Sequence, residues 1–462
     1  MPTRFYDATL QGLLLPIVMM LGAAPACHEA AAPAAPAVAK AAARHALAIT
    51  HVTLIDPTSG ARPNMTIVID GARIADVGPS NELAIPEGAT VLEGSNRFAV
   101  PGFLDAHVHV SQIGVDAIRL LVANGVTSVR DMGSAFAEIT RWRELRSSGG
   151  LAPRVFSPGP KIDGRGEEWD DSWVLSSPDD VRHGVARLKA IGVDFIKVHS
   201  GLSRAQYDAL ADESRKQGLS FAGHLGKEYP ALTAVARGQR TIEHGNDMVP
   251  CDQRVRERIR ADPAHARFAF VCAPESDAEA ILPAMARAGV WFTPTLVSWR
   301  GHTLKREAVA RLDGVHYVPA VLERRWAEPE PPLDAMELEL HAALGPLAAK
   351  AHRADVHLLV GSDVGDPYVV PGFALHDEMQ LFVEAGIPPL VAIRSATLEP
   401  ARALGVAHAL GSIERGKAAD VVLLGADPLA DIRNTRRITA VVMNGRLLTA
   451  TYLAALLDPL RH

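Results

Sequence analysis

Hydrophobic positions change period along this chain. Between Ala46 and Ser95, short β-rich runs alternate with turn signals: HVTLID, a Pro-x-x-Gly turn, then TIVIDGARIADVG, in which Asp70-Gly71 marks a hairpin. The same texture returns late in the chain, in Ala419 to Leu424 and in ITAVVMNGRLL, where Asn444-Gly445 marks a second hairpin. Residues 46–99 and 411–450 are therefore predicted to fold together as one discontinuous β-sandwich.

The central stretch, residues 100–410, alternates short apolar runs with longer helical patterns such as VRHGVARLKAIG and LHDEMQLFVEAGI. This is the texture of βα units on a parallel sheet. Eight candidate strands can be counted: FLDAHVH, VTSVR, RVFSP, DFIKVHS, SFAGH, TIEHG, WFTPT and HLLVGSD. They span roughly 260 residues, close to what a barrel of eight such units needs. The predicted fold class is α/β, a (β/α)8 TIM-like barrel with a discontinuous small β-sandwich domain. The long Arg/Glu/Pro-rich connection from His302 to Ala349 is predicted to include a helical excursion or lid. No internal repeat of fixed period is present.

The N-terminal segment reads differently. Leu13 to Ala24 is an apolar run of signal-peptide length, too short to span a bilayer comfortably. Ala24-Pro25-Ala26-Cys27 satisfies a small-x-small cleavage rule and resembles a bacterial lipobox, which would make Cys27 a lipid acceptor. The expectation is a signal peptide over 1–26, an Ala/Pro-rich linker over 27–45, and an exported protein, periplasmic or lipid-anchored to the cell envelope.

Composition narrows the chemistry. A net charge of −6, with 22% charged residues of both signs and no basic block, excludes a nucleic-acid partner. Three cysteines without a Cys-x-x-Cys pair exclude a disulfide-rich scaffold and a thiolate zinc site, so a metal would have to rest on His, Asp and Lys. Cys251 and Cys272 are left as either a pair or two thiols, and oligomeric state stays open.

His107 and His109 lie two apart on the first candidate strand, so both project to one side, where two imidazoles can share an ion. Single polar residues then close later strands: Lys197 in FIKVH, His224 in FAGH, His244 in TIEHG and Asp363 in VGSD. Barrel enzymes place their chemistry at these strand ends. His199 shares the face of Lys197 by alternation, and Arg130, Tyr229 and His376 are further candidates for the substrate pocket.

This series, on strands one, four, five, six and eight, resembles the binuclear members of the amidohydrolase superfamily. PGFLDAHVH and GSIERGKAADVVLL resemble its two flanking signatures, and the likeness runs from about His51 to Leu448. FAGHLG, QRTIEHG and GSDVGDPYVVPGFALHDEMQLFVEAG look like an exported bacterial branch near the imidazolonepropionase and prolidase-like groups. The resemblance implies two divalent ions, with zinc favoured by the histidines. His107, His109 and Asp363 would hold the more buried ion, and His224 and His244 the more exposed one. Lys197 would bridge both as a CO2-derived carbamate, because an ammonium has no lone pair to give.

The activity so implied is hydrolysis of a C–N bond in a small amide, peptide or cyclic-amide substrate, by a metal-bridged hydroxide with Asp363 as general acid and base. One departure stands out: prolidase-like members carry a Tyr two residues after the fifth-strand histidine, where Gly226 stands here, with Tyr229 nearby. Two rival readings stay open, a mononuclear deaminase of a heterocyclic base and a non-catalytic periplasmic binding protein.

Overall fold

The computed structural model describes residues 46–164, 172–226, 228–254, 257, 273–327, 333 and 335–461. The expected signal peptide, linker and lipid-accepting Cys27 lie outside the described residues, as does Cys272. Cys251 is disulfide-bonded. Among the described residues, no helix is long and apolar enough to cross a membrane.

The first strands form an antiparallel meander, β1 (Leu47–Asp56), β2 (Gly60–Asp70) and β3 (Arg73–Pro79). The next two, β4 (Thr90–Glu93) and β5 (Phe98–Pro101), run parallel to β1. After the barrel the chain adds three more strands, Val421–Leu424, Ile438–Met443 and Arg446–Thr449, and the first of these pairs with β5. Both chain ends thus share one eight-stranded sheet. Alternation decides what each face covers: Ala99, Val421 and Leu423 enter the sheet's own core with Ile49 and Ile67, whereas Val100, Val422 and Leu424 join the barrel core. A sheet buried on both faces requires the continuous apolar run seen in Val421–Leu424.

The barrel begins at β6 (Phe103–Val108), which pairs in parallel with β7 (Val126–Asp131), and β7 pairs with β8 (Arg154–Phe156). The third barrel strand is interrupted at Ser157 to Pro160 and resumes as β9 (Lys161–Asp163), flanked by β10 (Ser172–Val174). Next come β11 (Ile196–Val198), β12 (Phe221–Gly223) and β13 (Thr241–Glu243). A short side pair follows, β14 (Pro250–Cys251) with β15 (Ala273–Pro274), and then β16 (Trp291–Thr293). The last wall is a looser segment that bonds on both sides: Leu359 N–H to Phe292 O (2.8 Å), Ala106 N–H to Val360 O (3.0 Å) and Asp363 N–H to His107 O (2.8 Å).

Helices between strands show the expected logic. In Pro178–Ile191 the Ser177 hydroxyl caps the Asp180 amide, Val181, Val185 and Leu188 form the buried stripe, and Gly192 ends the helix in the left-handed region at φ 87°. The connection after His302 does make helices, at Arg306–Val309, Ala320–Trp326 and Ala335–Arg353. The Trp326 indole donates to Asp366 O (3.3 Å), so this excursion touches the loop that follows the eighth wall.

Candidate metal centre

Six predicted residues leave the C-terminal ends of barrel strands. On β6, alternation sends Asp105, His107 and His109 to one side. His107 is fully buried; its Nδ1 meets Glu243 Oε2 at 3.0 Å and its Nε2 stands 3.4 Å from Asp363 Oδ1. His109 directs Nδ1 to Gly133 O (3.2 Å) and Nε2 to the same Asp363 oxygen (3.4 Å). The other oxygen, Asp363 Oδ2, is 3.3 Å from His244 Nδ1. One carboxylate therefore stands among three imidazoles. His107, His244 and Asp363 offer ligand atoms that all lie within 4.8 Å of one another.

Ring contacts extend the cluster. His107 and His244 have centroids 4.8 Å apart, His244 and His224 4.5 Å, and His224 and His199 4.3 Å. His224 is the most exposed of these imidazoles. Lys197 is fully buried, and neither its Nζ nor His224 Nδ1 nor His107 Nε2 finds a hydrogen-bond partner among the described residues. Buried polar atoms are ordinarily satisfied, so three unpartnered nitrogens in one cluster fit a site built to hold a cation. An imidazole-rich donor set with one carboxylate suits zinc. The residues present fit a metal.

Electrostatics agree with that reading. Burial, reinforced by Lys197, holds His224 well below the ordinary imidazole range; burial also lowers His107 and His244, with Asp363 opposing. Neutral imidazoles have a lone pair to donate. Burial would raise Asp363, but His107, His244 and His109 bring it down to about 2, so it is an anion. Burial lowers Lys197 to about 8, with Lys161 and Arg130 pushing the same way and Glu243 and Asp363 opposing.

Two of these residues hold unusual backbones: His244 has φ 68° and Asp363 φ 56°, in the left-handed region that side chains rarely adopt. Thr295, whose Oγ1 lies 2.9 Å from His244 Nδ1, has φ 48°. Strain of this sort concentrates at functional sites.

The weaker pocket candidates are sorted by the structure. His199 does reach the cluster, with Nδ1 2.9 Å from Asp163 Oδ2. Arg130 does not line a pocket: it is 2% exposed and lies beneath the cluster, donating to Glu243 (2.8 Å) and Thr241 (2.9 Å) inside the barrel. Tyr229 is fully buried, stacked on Tyr207 at 3.9 Å, with its hydroxyl given to His199 O (2.5 Å), so it supports the His199 loop rather than facing substrate. His376 is not brought to the site. It packs on Phe103 and bonds Thr435 and the Asn124 carbonyl, because it lies on the buried stripe of the helix Phe373–Glu384.

Residues the sequence did not flag complete the frame. Glu243 fixes His107, and Asp163 receives the Gly164 and Gly201 amides as well as His199. Asp105 accepts from the Ser362 amide (2.9 Å), the Ser362 hydroxyl (2.6 Å) and the His107 amide (3.2 Å). Alternation with Thr241 and His107 was the available signal for Glu243 and Asp105.

Buried imidazoles, a carboxylate and a lysine at the C-terminal mouth of a (β/α)8 barrel with a discontinuous β-sandwich are the architecture of a metal-dependent barrel hydrolase. The family model described as the amidohydrolase family matches residues 98–448, and the chain belongs to that family. An adenine deaminase from Rubrobacter xylanophilus is 24% identical over 422 residues, covering 87% of this chain. The chain spans only 58% of that deaminase's length. Among solved structures, a Bifidobacterium longum protein assigned as a prolidase superposes with a TM-score of 0.67 at 26% identity, over 90% of this chain and 99% of its own. Bottromycin amidohydrolase gives 0.72 at 24% identity, over 90% and 89%.

Proposed function

We propose that this protein hydrolyses the C–N bond of a small amide, peptide or cyclic amide, using two divalent ions, zinc favoured, held by His107, His109, His224, His244, Asp363 and a carbamate on Lys197. The observation that carries the reading is the fully buried Lys197 Nζ, without a hydrogen-bond partner among the described residues, at the strand end among these ligands. Its neutral amine adds CO2, forming an N–C bond and releasing one proton, and the product is an anion able to bridge. Divalent ions bound there supply Lewis acidity, polarising a carbonyl and making water a better acid.

The chain's own residues do the rest. Asp363 accepts the proton of the attacking water at one carboxylate oxygen and returns it to the leaving nitrogen. His199, against His224, borders the side on which substrate enters.

Lys197→Ala tests the carbamate. Metal content and hydrolysis of an amide, dipeptide and lactam panel should both fall, and a short carboxylic acid added with zinc should restore part of each. Lys197→Arg should not be rescued, since a guanidinium fills the space and stays charged. Both ions and full activity in Lys197→Ala would overturn the binuclear reading.

The mononuclear deaminase remains the second reading, favoured by the likeness to an adenine deaminase and by the compact set His107, His244 and Asp363. One ion per chain, with ammonia released from a purine, would select it.

The reading also includes export. It is supported by the apolar run Leu13 to Ala24 and by the disulfide at Cys251, since such bonds persist in oxidising compartments. Mature protein from the native host should begin at or near Cys27, and an intact Met1 there would refute it.

A further inference from the structure

His244 holds its nearest side-chain hydrogen-bond partner across a turn that the sequence alone would not build. Its Nδ1 lies 2.9 Å from Thr295 Oγ1. Thr295 follows β16 and adopts φ 48°, a conformation that a β-branched residue enters only under constraint. The constraint is visible. Glu378, fully buried on the helix Phe373–Glu384, accepts the Leu296 amide at Oε1 (3.0 Å) and the Val297 amide at Oε2 (2.7 Å). These are the first two amides of the helix Leu296–Thr303, which have no acceptor within their own helix. Thr295 O in turn accepts the Ser298 amide at 3.1 Å. The Glu378 carboxyl group, from a helix far along the chain, thus clamps both bonds downstream of Thr295 and fixes where its hydroxyl points.

We propose that Thr295 and Glu378 are positioning residues for His244: Thr295 bonds Nδ1, the nitrogen that Asp363 Oδ2 also approaches at 3.3 Å, and so fixes the tautomer and orientation of the ring, while Glu378 fixes the turn that places Thr295. This rests on the metal-dependent reading above. A ligand imidazole whose other nitrogen is bonded keeps its tautomer and orientation, and removal of such a partner typically weakens metal binding about 10–100-fold.

The test uses full-length Thr295→Val, Thr295→Ser and Glu378→Gln beside the wild type, with zinc stoichiometry, zinc affinity by chelator competition and the thermal midpoint of metal-stripped protein as readouts. Thr295→Val keeps shape and β-branching but loses the hydroxyl, and should weaken one zinc about 10–100-fold. Thr295→Ser keeps the hydroxyl and should stay within about threefold of wild type, with a metal-free midpoint matching that of Thr295→Val. Glu378→Gln can accept only one of the two amides and should lose zinc affinity in the same direction as Thr295→Val. Wild-type affinity in Thr295→Val, or equal loss in Val and Ser, overturns the assignment while the wild type still binds two zinc ions. A wild type that binds no zinc overturns the metal-dependent reading, and this assignment with it.

Discussion

His107 donates through Nδ1 to Glu243 across 3.0 Å, inside the barrel and with neither side chain exposed. The same carboxylate receives Arg130 Nη2 at 2.8 Å, so Glu243 is held between a guanidinium below and the His107 imidazole of the candidate metal site above. Arg130 is anchored further by the Ala106 carbonyl (2.5 Å) and Thr241 Oγ1 (2.9 Å).

Removing the carboxylate should therefore have two separable effects. Glu243→Ala leaves Arg130 charged and unpaired in the interior, which typically costs about 3–5 kcal/mol. Glu243→Gln keeps an acceptor for His107 and should unfold later than Glu243→Ala, yet bind zinc about tenfold or more weakly than wild type. Denaturant titration and chelator competition read the two quantities independently, and unchanged zinc affinity in both variants would refute the link.

Asp363 stands among His107, His109 and His244 and is anionic at neutral pH, so its proton chemistry can be separated from its charge. In Asp363→Asn, turnover should drop about 10²–10⁴-fold, the usual worth of a general acid–base. Bound zinc should remain near or above one ion per chain. Turnover within tenfold of wild type would remove Asp363 from the catalytic role.

Gly361 sits where the eighth wall passes the first strand. A Cβ there would stand 2.7 Å from the His107 Cβ and 2.7 Å from Thr293 Cγ2, closer than real contacts allow. Gly361→Ala should cost about 1–3 kcal/mol of stability, as overpacked sites do, and should release zinc by pushing His107 aside. Full zinc occupancy in a stably folded Gly361→Ala protein would contradict the packing argument.

His376 provides a pH test away from the candidate metal site. Burial, with Arg436 adding to it, lowers this imidazole from 6.5 to about 3. Between those values only the unfolded chain binds the proton, so its contribution is present above pH 6.5 and is lost as pH falls toward 3. At pH 5 the loss is about 2 kcal/mol. His376→Gln retains donor and acceptor without titrating, so its stability should fall less than that of the wild type between pH 7 and pH 5. Parallel curves for the two proteins would show that His376 is not the source.

The clustering of the candidate ligands was legible because each closes a short β-rich run, and strand ends in a barrel converge whatever the loops do. The third wall was only half legible: RVFSP marks β8, but Pro158-Gly159-Pro160 hides the resumption as β9 that carries Lys161 and Asp163. Arg130 follows strand alternation into the barrel, yet alternation does not say whether an inward residue lies at the mouth or one layer below. His376 shares its helix with Glu378, and helical spacing alone cannot tell which barrel end a buried stripe meets. The bond from Glu378 to Leu296 joins residues 82 apart and leaves no local mark.

The seam between Asp105 and Ser362 has a consequence for when the site comes into being. His107 emerges early in synthesis and Asp363 late, and the Ser362 amide and hydroxyl reach Asp105 only when the last wall meets the first. A nascent chain ending before that wall lacks both Asp363 and the seam that seats the first strand against the last, so on the metal-dependent reading the complete ligand set forms only after the ring has closed. On that reading any ion held by the complete set is taken up in whichever compartment the finished chain folds. If the chain folds after export, the metal supply of the envelope, and not that of the cytoplasm, sets which ion it carries.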